Sequence, residues 1–184
     1  ANAIFEPLWN KEHIDHVQIT NNETLGVGER TTFYDATGAL RDMFQSHLLQ
    51  TLAVTAMEEP KDFQPESIRA EKVKLLQSIR PVDVANINKQ AFRAQYAEGR
   101  VCVGDGHGEN VHGYLAELKR DGIESSQTET YAAVKLFIDN PRWQGVPFYV
   151  RTAKRMHEGN TAISIRFKKS PMQLVDGQHQ NWLT

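Results

Sequence analysis

The chain has little that would tie it to a membrane, a nucleic acid or an oxidising compartment. Its single cysteine, Cys102, excludes an internal disulfide framework and fits a reducing cytosol, so we expect a cytoplasmic protein. No apolar run approaches the roughly 20 residues needed to span a bilayer. A formal charge of −2 provides no basic field for a phosphate backbone. Residues 1–9 have no basic segment typical of a signal peptide. We therefore expect neither a membrane nor a nucleic acid as partner.

The length and composition indicate an ordinary globular domain. With 184 residues, 40% of them hydrophobic and 24% charged, the chain is long enough to bury a core and is most simply one domain, 1–184. Its sequence starts without Met in what resembles the last turns of a helix ended by Pro7, and it stops at 180–184 where a strand begins. We expect a piece of a longer polypeptide, truncated at both ends.

The residue pattern predicts both helices and strands. Helical periodicity predicts one helix over 38–57, capped at Asp35 or Thr37, and a second over 66–79 that Pro65 opens. The predicted strands are 15–20, 91–96, 130–138, 146–151 and 161–168. Because the links between the later strands are too short for crossover helices, we expect an α+β fold. It would have a large, mainly antiparallel sheet with helices packed on one face.

A glycine-rich and acidic stretch, 97–110, predicts a surface loop, and a helical turn is expected within 111–118. The stretch includes Gly104-Asp105-Gly106-His107-Gly108. Since no helix with a phosphate-ready N-terminus follows these glycines, they do not predict a phosphate loop.

One histidine, His47, has the setting of a proton acceptor. The helical pattern places it on the apolar side of its helix, with Asp42 five residues before it. On a regular α-helix the two residues would lie about 140° apart around the axis and about 7.5 Å apart along it. They could not bond each other there, but they could contact two points of one small polar ligand. The ordinary alternatives are a core histidine and a solvated acid.

Three segments, in this order, resemble the C-terminal domain of glucose-6-phosphate dehydrogenase. They are Ile19-Thr20-Asn21-Asn22-Glu23, Asp42-Met43-Phe44-Gln45-Ser46-His47-Leu48-Leu49-Gln50, and the run from Asn140 to Lys154. Shorter matching stretches lie at 93–96, 111–114 and 128–133. The similarity extends from Phe5 to about Phe167, nearly the whole chain.

The resemblance implies roles for four residues. His47 matches the general base that takes the proton of the sugar C1 hydroxyl. Asp42 and Glu23 match carboxylates that bind sugar hydroxyls, which suits a ligand rich in hydroxyl donors. Lys154 matches the substrate lysine that ends the third segment. Arg151 could be structural or could approach the cofactor.

The resemblance also implies a reaction and partners. The enzyme would oxidise D-glucose 6-phosphate to 6-phospho-D-glucono-1,5-lactone with reduction of NADP, the first step of the oxidative pentose phosphate pathway. The NADP would be bound mainly by a missing N-terminal domain. The family's sheet packs against a second subunit, so we expect a homodimer or a tetramer through the sheet.

This chain departs from the family in three ways. It lacks the family's Arg-Ile-Asp-His-Tyr-Leu-Gly-Lys motif, which carries phosphate-binding residues and the aspartate that orients the histidine. It also lacks the dinucleotide-binding domain. Many members have a basic residue five positions after the substrate lysine, where this chain has Gly159 and then Asn160. Arg155 or His157 could substitute. We expect the isolated chain to be inactive, because a base without its partner loses tautomer control.

Two other classes of function stay open. One is a non-catalytic module that binds sugar phosphates or mediates oligomerisation. The other is a hydrolytic acid/base site made of Glu23, Asp42 and His47, which requires two carboxylates flanking a scissile bond. The histidines, including His107 and His112, lack ligand-like spacing, so we expect no metal site.

Overall fold

A computed structural model describes residues 4–102, 108–169 and 181–184, which form a six-stranded sheet, a two-stranded ribbon and helices. The strands are β1 (Ile14–Asn22), β2 (Ala91–Ala94), β3 (Gly99–Cys102), β4 (Gly108–Val111), β5 (Tyr131–Phe137), β6 (Pro147–Ala153), β7 (Asn160–Phe167) and β8 (Trp182–Leu183). The helices are α1 (Thr31–Ala39), a π-helical segment (Leu40–Leu48), α2 (Leu49–Ala56), α3 (Pro65–Gln77), α4 (Ile87–Gln90) and α5 (Tyr114–Arg120). Single 3₁₀ turns lie at Glu6–Leu8, Gly28–Arg30 and Val84–Asn86. Within the described ranges no helix is both long and apolar enough to cross a membrane. The predicted α+β class is confirmed.

One pair of strands in the large sheet is parallel. The strand order is β2-β5-β6-β1-β7-β8, and every neighbouring pair is antiparallel except β1 and β6. The prediction of a mainly antiparallel sheet is therefore confirmed. In the parallel pair Val17 lies opposite Phe148, and Asn22 lies opposite Ala153. Since both strands run the same way, they end side by side, and the residues that follow them are neighbours.

The helices pack on one face of this sheet, and the core lies between the two layers. Its buried apolar side chains come from both: Val17, Ile19, Phe148 and Val150 from the sheet, and Phe44, Leu48, Leu52 and Ala56 from the helices. The alternation predicted for the strand at 161–168 is confirmed, since Ile163, Ile165 and Phe167 all contact this core. Each large apolar side chain that is fully buried here contributes about 1.5–3 kcal/mol.

The predicted helix over 38–57 corresponds to the π-helical segment and α2, which together end at Ala56. A separate helix, α1, precedes it from Thr31, so the predicted caps Asp35 and Thr37 lie inside α1. The carboxylate of Asp35 instead accepts a hydrogen bond from the Tyr114 hydroxyl at 2.8 Å, a tertiary contact that sequence spacing does not reveal. The bend is at Gly38, with φ 68° and ψ 172°, after which the π-helical segment and α2 follow.

A polar network holds the C-terminal end of α2. The indole Nε1 of Trp143 donates to the Ala56 carbonyl at 2.8 Å, which satisfies one of the last carbonyls of the helix. Arg142 pairs with Glu58 at 2.5 Å and with Glu6 at 2.7 Å. The hydrogen bonds to Glu58 raise the pKa of Arg142 further above its ordinary value, so this guanidinium stays charged.

The predicted surface loop at 97–110 is wrong for the parts that the structure describes. These parts form the antiparallel ribbon of β3 and β4, in which Gly99 lies opposite Val111 and Cys102 opposite Gly108. Both strands are four residues long and carry no apolar alternation, because backbone pairing rather than burial of one face defines them. Residues 103–107, with most of the glycine-rich stretch and His107, lie outside the described residues.

Candidate functional site

Glu23 and Lys154 meet where the parallel strands end. Glu23 directly follows β1 and Lys154 directly follows β6. The Glu23 amide donates to the Ala153 carbonyl at 2.8 Å, and the Lys154 amide donates to the Thr130 carbonyl at 2.9 Å. Their side chains form an ion pair in which the Lys154 side chain is 10% exposed and the Glu23 side chain 37%. Two residues separated by more than a hundred positions thus form one charged group at the sheet edge.

A buried tyrosine, Tyr34 of α1, lies beneath this ion pair. The Lys154 ammonium lies 5.3 Å from the centroid of its ring, which is a cation–π contact. The Tyr34 hydroxyl donates to the Glu129 carbonyl at 3.3 Å. Its pKa is raised above the ordinary value, first by burial and next by the negative charge of Asp42. The charge of Glu23 acts in the same direction. Tyr34 therefore lies within electrostatic range of both carboxylates.

The helix that carries Asp42 and His47 has π-helical geometry, which changes the angle between the two residues around the helix axis. Its turns close between residues five apart, as in the hydrogen bond from the Leu49 amide to the Phe44 carbonyl. Asp42 and His47 are also five apart. They therefore lie about one turn from each other on nearly the same face, and the angle of about 140° expected for a regular α-helix is wrong. π-Helical turns are rare and are frequently found at functional sites.

His47 is exposed, so its predicted place on the apolar side of the helix is wrong. Phe44 and Leu48 hold the core side of this segment, and both are buried. The wider π turn rotates His47 away from that side. Its imidazole makes no hydrogen bond or ion pair with any other residue that the structure describes. The ring is therefore accessible to a ligand or to another part of a larger protein.

A second buried cluster supports the loop that follows Lys154. Arg155 has a left-handed backbone conformation, with φ 58°. Its guanidinium pairs with Glu117, which is 6% exposed, and lies 5.4 Å from the Tyr96 ring centroid. The Tyr96 hydroxyl donates to the same carboxylate at 2.6 Å. Burial, and then this bond, raise the pKa of Tyr96. Because its guanidinium is paired with the buried Glu117, Arg155 does not substitute for the basic residue missing at 159.

The remaining candidates lie around the same edge or on the far face of the sheet. Gly159 is next to the end of β1, where an added Cβ would lie 3.6 Å from the Asn22 carbonyl, an ordinary contact. Arg151 lies on the face of the sheet away from the helices and donates through Nε to Thr20 at 3.0 Å. Among the described residues no group of three or more His, Cys, Asp or Glu side chains could hold a metal ion.

The structure pairs two of the four predicted site residues, Glu23 and Lys154, and adds Tyr34, whose ring lies against the lysine. Asp42 and His47 lie one π turn apart on the helical segment, and the charge of Asp42 contributes to the raised pKa of Tyr34. Tyr34 was missed, because a tyrosine in an apolar helical run has no feature that separates it from a core residue.

Comparison with known proteins shows the family to which the chain belongs. The chain matches, over residues 1–184, the family described as "Glucose-6-phosphate dehydrogenase, C-terminal domain". It is 46% identical over 182 residues to a glucose-6-phosphate 1-dehydrogenase of Bacillus subtilis, covering 98% of this chain and 36% of that protein. It is 47% identical over 176 residues to that of Rhizobium meliloti, covering 96% of this chain and 34% of that protein. The chain thus spans about a third of the length of these relatives.

Two solved structures of glucose-6-phosphate dehydrogenases superimpose on this chain. A glucose-6-phosphate dehydrogenase in complex with its substrate glucose 6-phosphate superimposes with a TM-score of 0.83 at 34% identity, over 98% of this chain and 35% of that one. A glucose-6-phosphate 1-dehydrogenase from Mycobacterium avium gives a TM-score of 0.79 at 29% identity, over 98% of this chain and 35% of that one. The chain belongs to the family of glucose-6-phosphate dehydrogenase C-terminal domains.

Proposed function

We propose that this chain is the substrate-binding part of an NADP-linked glucose-6-phosphate dehydrogenase. The observation that supports this best is the ion pair of Glu23 and Lys154 at one sheet edge, with Asp42 and the exposed His47 on the π-helical segment that packs against β6. The parent enzyme oxidises glucose 6-phosphate to 6-phosphogluconolactone and takes part in carbohydrate metabolism in the cytoplasm.

The charged edge suits a polyhydroxylated ligand. Ionised carboxylates are strong acceptors for hydroxyl donors, so Glu23 and Asp42 bind hydroxyls of the sugar. Lys154 is a compact point charge with three donors, which can serve a hydroxyl or a phosphate oxygen. The ion pair with Glu23 and the ring of Tyr34 hold the lysine in place before the sugar binds. The free site is therefore already ordered.

His47 supplies the proton acceptor. Oxidation of the C1 hydroxyl requires that its proton leave as hydride departs, and imidazole titrates near neutrality. The exposure of the His47 ring allows such contact. The family's aspartate that orients this histidine belongs to the motif that this chain lacks. We therefore propose that the 184-residue chain by itself is inactive.

The dinucleotide is held elsewhere. In the described ranges no strand leads through a glycine-rich turn into a helix N-terminus that could receive a pyrophosphate. We propose that the hydride acceptor is bound mainly by another part of the parent enzyme.

The outer face of the sheet provides a surface for a second copy. Phe92 is 62% exposed and Tyr149 is 43% exposed on this face, between the cations Lys135, Arg151 and Arg166. An exposed sheet face with large aromatics is typical of an interface. We propose a homodimer through this face, or a tetramer built from such dimers. Light scattering of a Tyr149→Asp variant of the parent enzyme should give the monomer mass, and an unchanged mass would contradict the proposed surface.

The function is tested on the longest natural polypeptide that contains this chain. Production of reduced nicotinamide from glucose 6-phosphate and NADP is followed by absorbance. We expect His47→Asn to lower kcat by about 10²–10⁴-fold while the protein stays folded. His13→Asn is the matched control, because His13 is exposed and precedes β1 at the opposite end of the sheet. A parent with no activity, or a fully active His47→Asn variant, would favour a non-catalytic binding module.

A further inference from the structure

We propose that Glu129 is a positioning residue for the helix that carries Asp42 and His47. This inference rests on the proposed function. Glu129 lies two residues before β5 and is 6% exposed. It would act on the reaction through the π-helical segment rather than by touching the substrate.

Glu129 accepts hydrogen bonds from two successive amides, that of Ala39 directly before the segment and that of Leu40, its first residue. Its backbone carbonyl accepts from the Ala39 amide at 3.0 Å. Its carboxylate Oε1 accepts from the Leu40 amide at 2.9 Å. The first amides of a helix have no partner within the helix, so an outside acceptor decides where the helix begins. Because Asp42 follows two residues later, any shift of this start moves the substrate carboxylate directly.

The backbone before the segment is shaped to admit this carboxylate. A Cβ added to Gly38 would lie 2.6 Å from Glu129 Oε1, closer than any real contact. Gly38 also has a positive φ of 68°, which turns the chain so that the next two amides point at Glu129. The absence of a side chain at Gly38 and its positive φ therefore both allow the Glu129 carboxylate to reach the Leu40 amide.

The carboxylate is buried without a strong ionic partner. Its only cation among the described residues is Arg93, whose Nη1 is 3.5 Å away and whose side chain is 58% exposed. Burying a carboxylate is costly unless it is hydrogen-bonded. A negative charge at a helix N-terminus is favourable. The Tyr34 hydroxyl donates to the Glu129 carbonyl, and the charges of Glu129 and Asp42 both raise the pKa of Tyr34 after the larger effect of burial.

The test compares three substitutions in the full-length parent enzyme. Glu129→Gln keeps the length and an acceptor for the Leu40 amide. Glu129→Asp keeps the charge but is one methylene too short to reach it, and Glu129→Ala removes both. We expect Glu129→Gln to retain most activity. For Glu129→Asp and Glu129→Ala we expect kcat to fall by about 10- to 100-fold, since misplacement of about 1 Å can cost 10²-fold.

The Michaelis constants separate positioning from simple loss of folded protein. A shifted helix raises KM for glucose 6-phosphate and leaves KM for NADP unchanged, whereas a smaller folded fraction lowers apparent kcat and changes neither KM. Glu58→Ala is the control, because it breaks the Arg142 network at the opposite end of the helical region. It should change stability without changing KM for the sugar phosphate.

The outcomes distinguish this inference from the proposed function. If the wild-type parent is active and requires His47, but Glu129→Asp matches wild type or exceeds Glu129→Gln, the positioning role is refuted and the proposed function stands. If the wild-type parent is inactive, the proposed function fails first. If Glu129→Ala does not fold, the comparison of Glu129→Gln with Glu129→Asp still tests whether Glu129 positions the helix.

Discussion

Gly38→Ala in the parent enzyme should be one of the most damaging single-methyl additions in this domain. The residue has φ 68° and ψ 172°. That conformation is essentially restricted to glycine and costs another residue about 1–3 kcal/mol. The cost arises wholly within the backbone of residue 38 and does not depend on its neighbours.

The neighbours add a second cost. The new Cβ would lie 2.6 Å from Glu129 Oε1, so the carboxylate must move away from the Leu40 amide. A hydrogen bond to a charged group contributes about 1.5–3 kcal/mol, so the total loss is about 2.5–6 kcal/mol. In a domain of this size each kcal/mol lowers the unfolding midpoint by about 2–4 °C, which predicts a shift of about 5–24 °C.

Thermal unfolding followed by circular dichroism measures this shift. The matched control is Gly28→Ala, because Gly28 also has positive φ, 60°, but has nothing within 4 Å of an added Cβ. It should lose only the backbone strain, about 1–2 kcal/mol. Adding Glu129→Ala to Gly38→Ala should recover part of the loss, because the clash is then gone. Equal shifts for the two single glycine variants would refute the reasoning.

Three further outcomes are expected. Lys154→Met should raise KM for glucose 6-phosphate by about 10- to 100-fold, since a hydrogen bond to a charged group is lost, and leave KM for NADP as an internal control. Gly159→Arg should lower KM for the sugar phosphate about 2- to 10-fold, because the added guanidinium would lie beside the end of β1 and can bind phosphate; an unchanged KM would show that it does not reach the ligand. Arg80 holds the pKa of Asp139 below its ordinary 3.8, chiefly through a hydrogen bond. Stability from this pair is therefore present above pH about 4 and lost as the pH falls through the lowered pKa, so Asp139→Asn should lower the unfolding midpoint more at pH 6 than at pH 2. An equal shift at both values would contradict this.

Most strands could be predicted from the sequence because alternating apolar and polar residues indicate a strand with one buried face. Strands β5, β6 and β7 lie within two residues of their predicted limits. The ribbon of β3 and β4 could not be predicted from the sequence, since its residues do not bury a common face and therefore show no alternation. Nor was the parallel pairing of β1 with β6, because the two strands are joined through most of the chain and local spacing says nothing about so distant a pair.

For the site residues, too, the sequence predicted some properties and not others. The identities of Glu23, Asp42, His47 and Lys154 came from ordered local motifs. Their geometry did not, because an assumed period of 3.6 residues separates Asp42 from His47, and the actual π-helical turn aligns them. Tyr34 and Glu129 had no motif at all. Each is a buried polar residue whose partners come from distant parts of the chain.

By itself the sequence determined the α+β class, the limits of most strands and the residue types at the proposed sugar site, since these depend on periodicity and on short ordered motifs. Only the tertiary structure decided that Glu23 and Lys154 form a pair, that Asp42 and His47 share a face, and that Glu129 holds their helix. The physical reason is that pairing of parallel strand ends and satisfaction of the first helical amides both depend on contacts between residues far apart in the chain, and these form only when the layers pack.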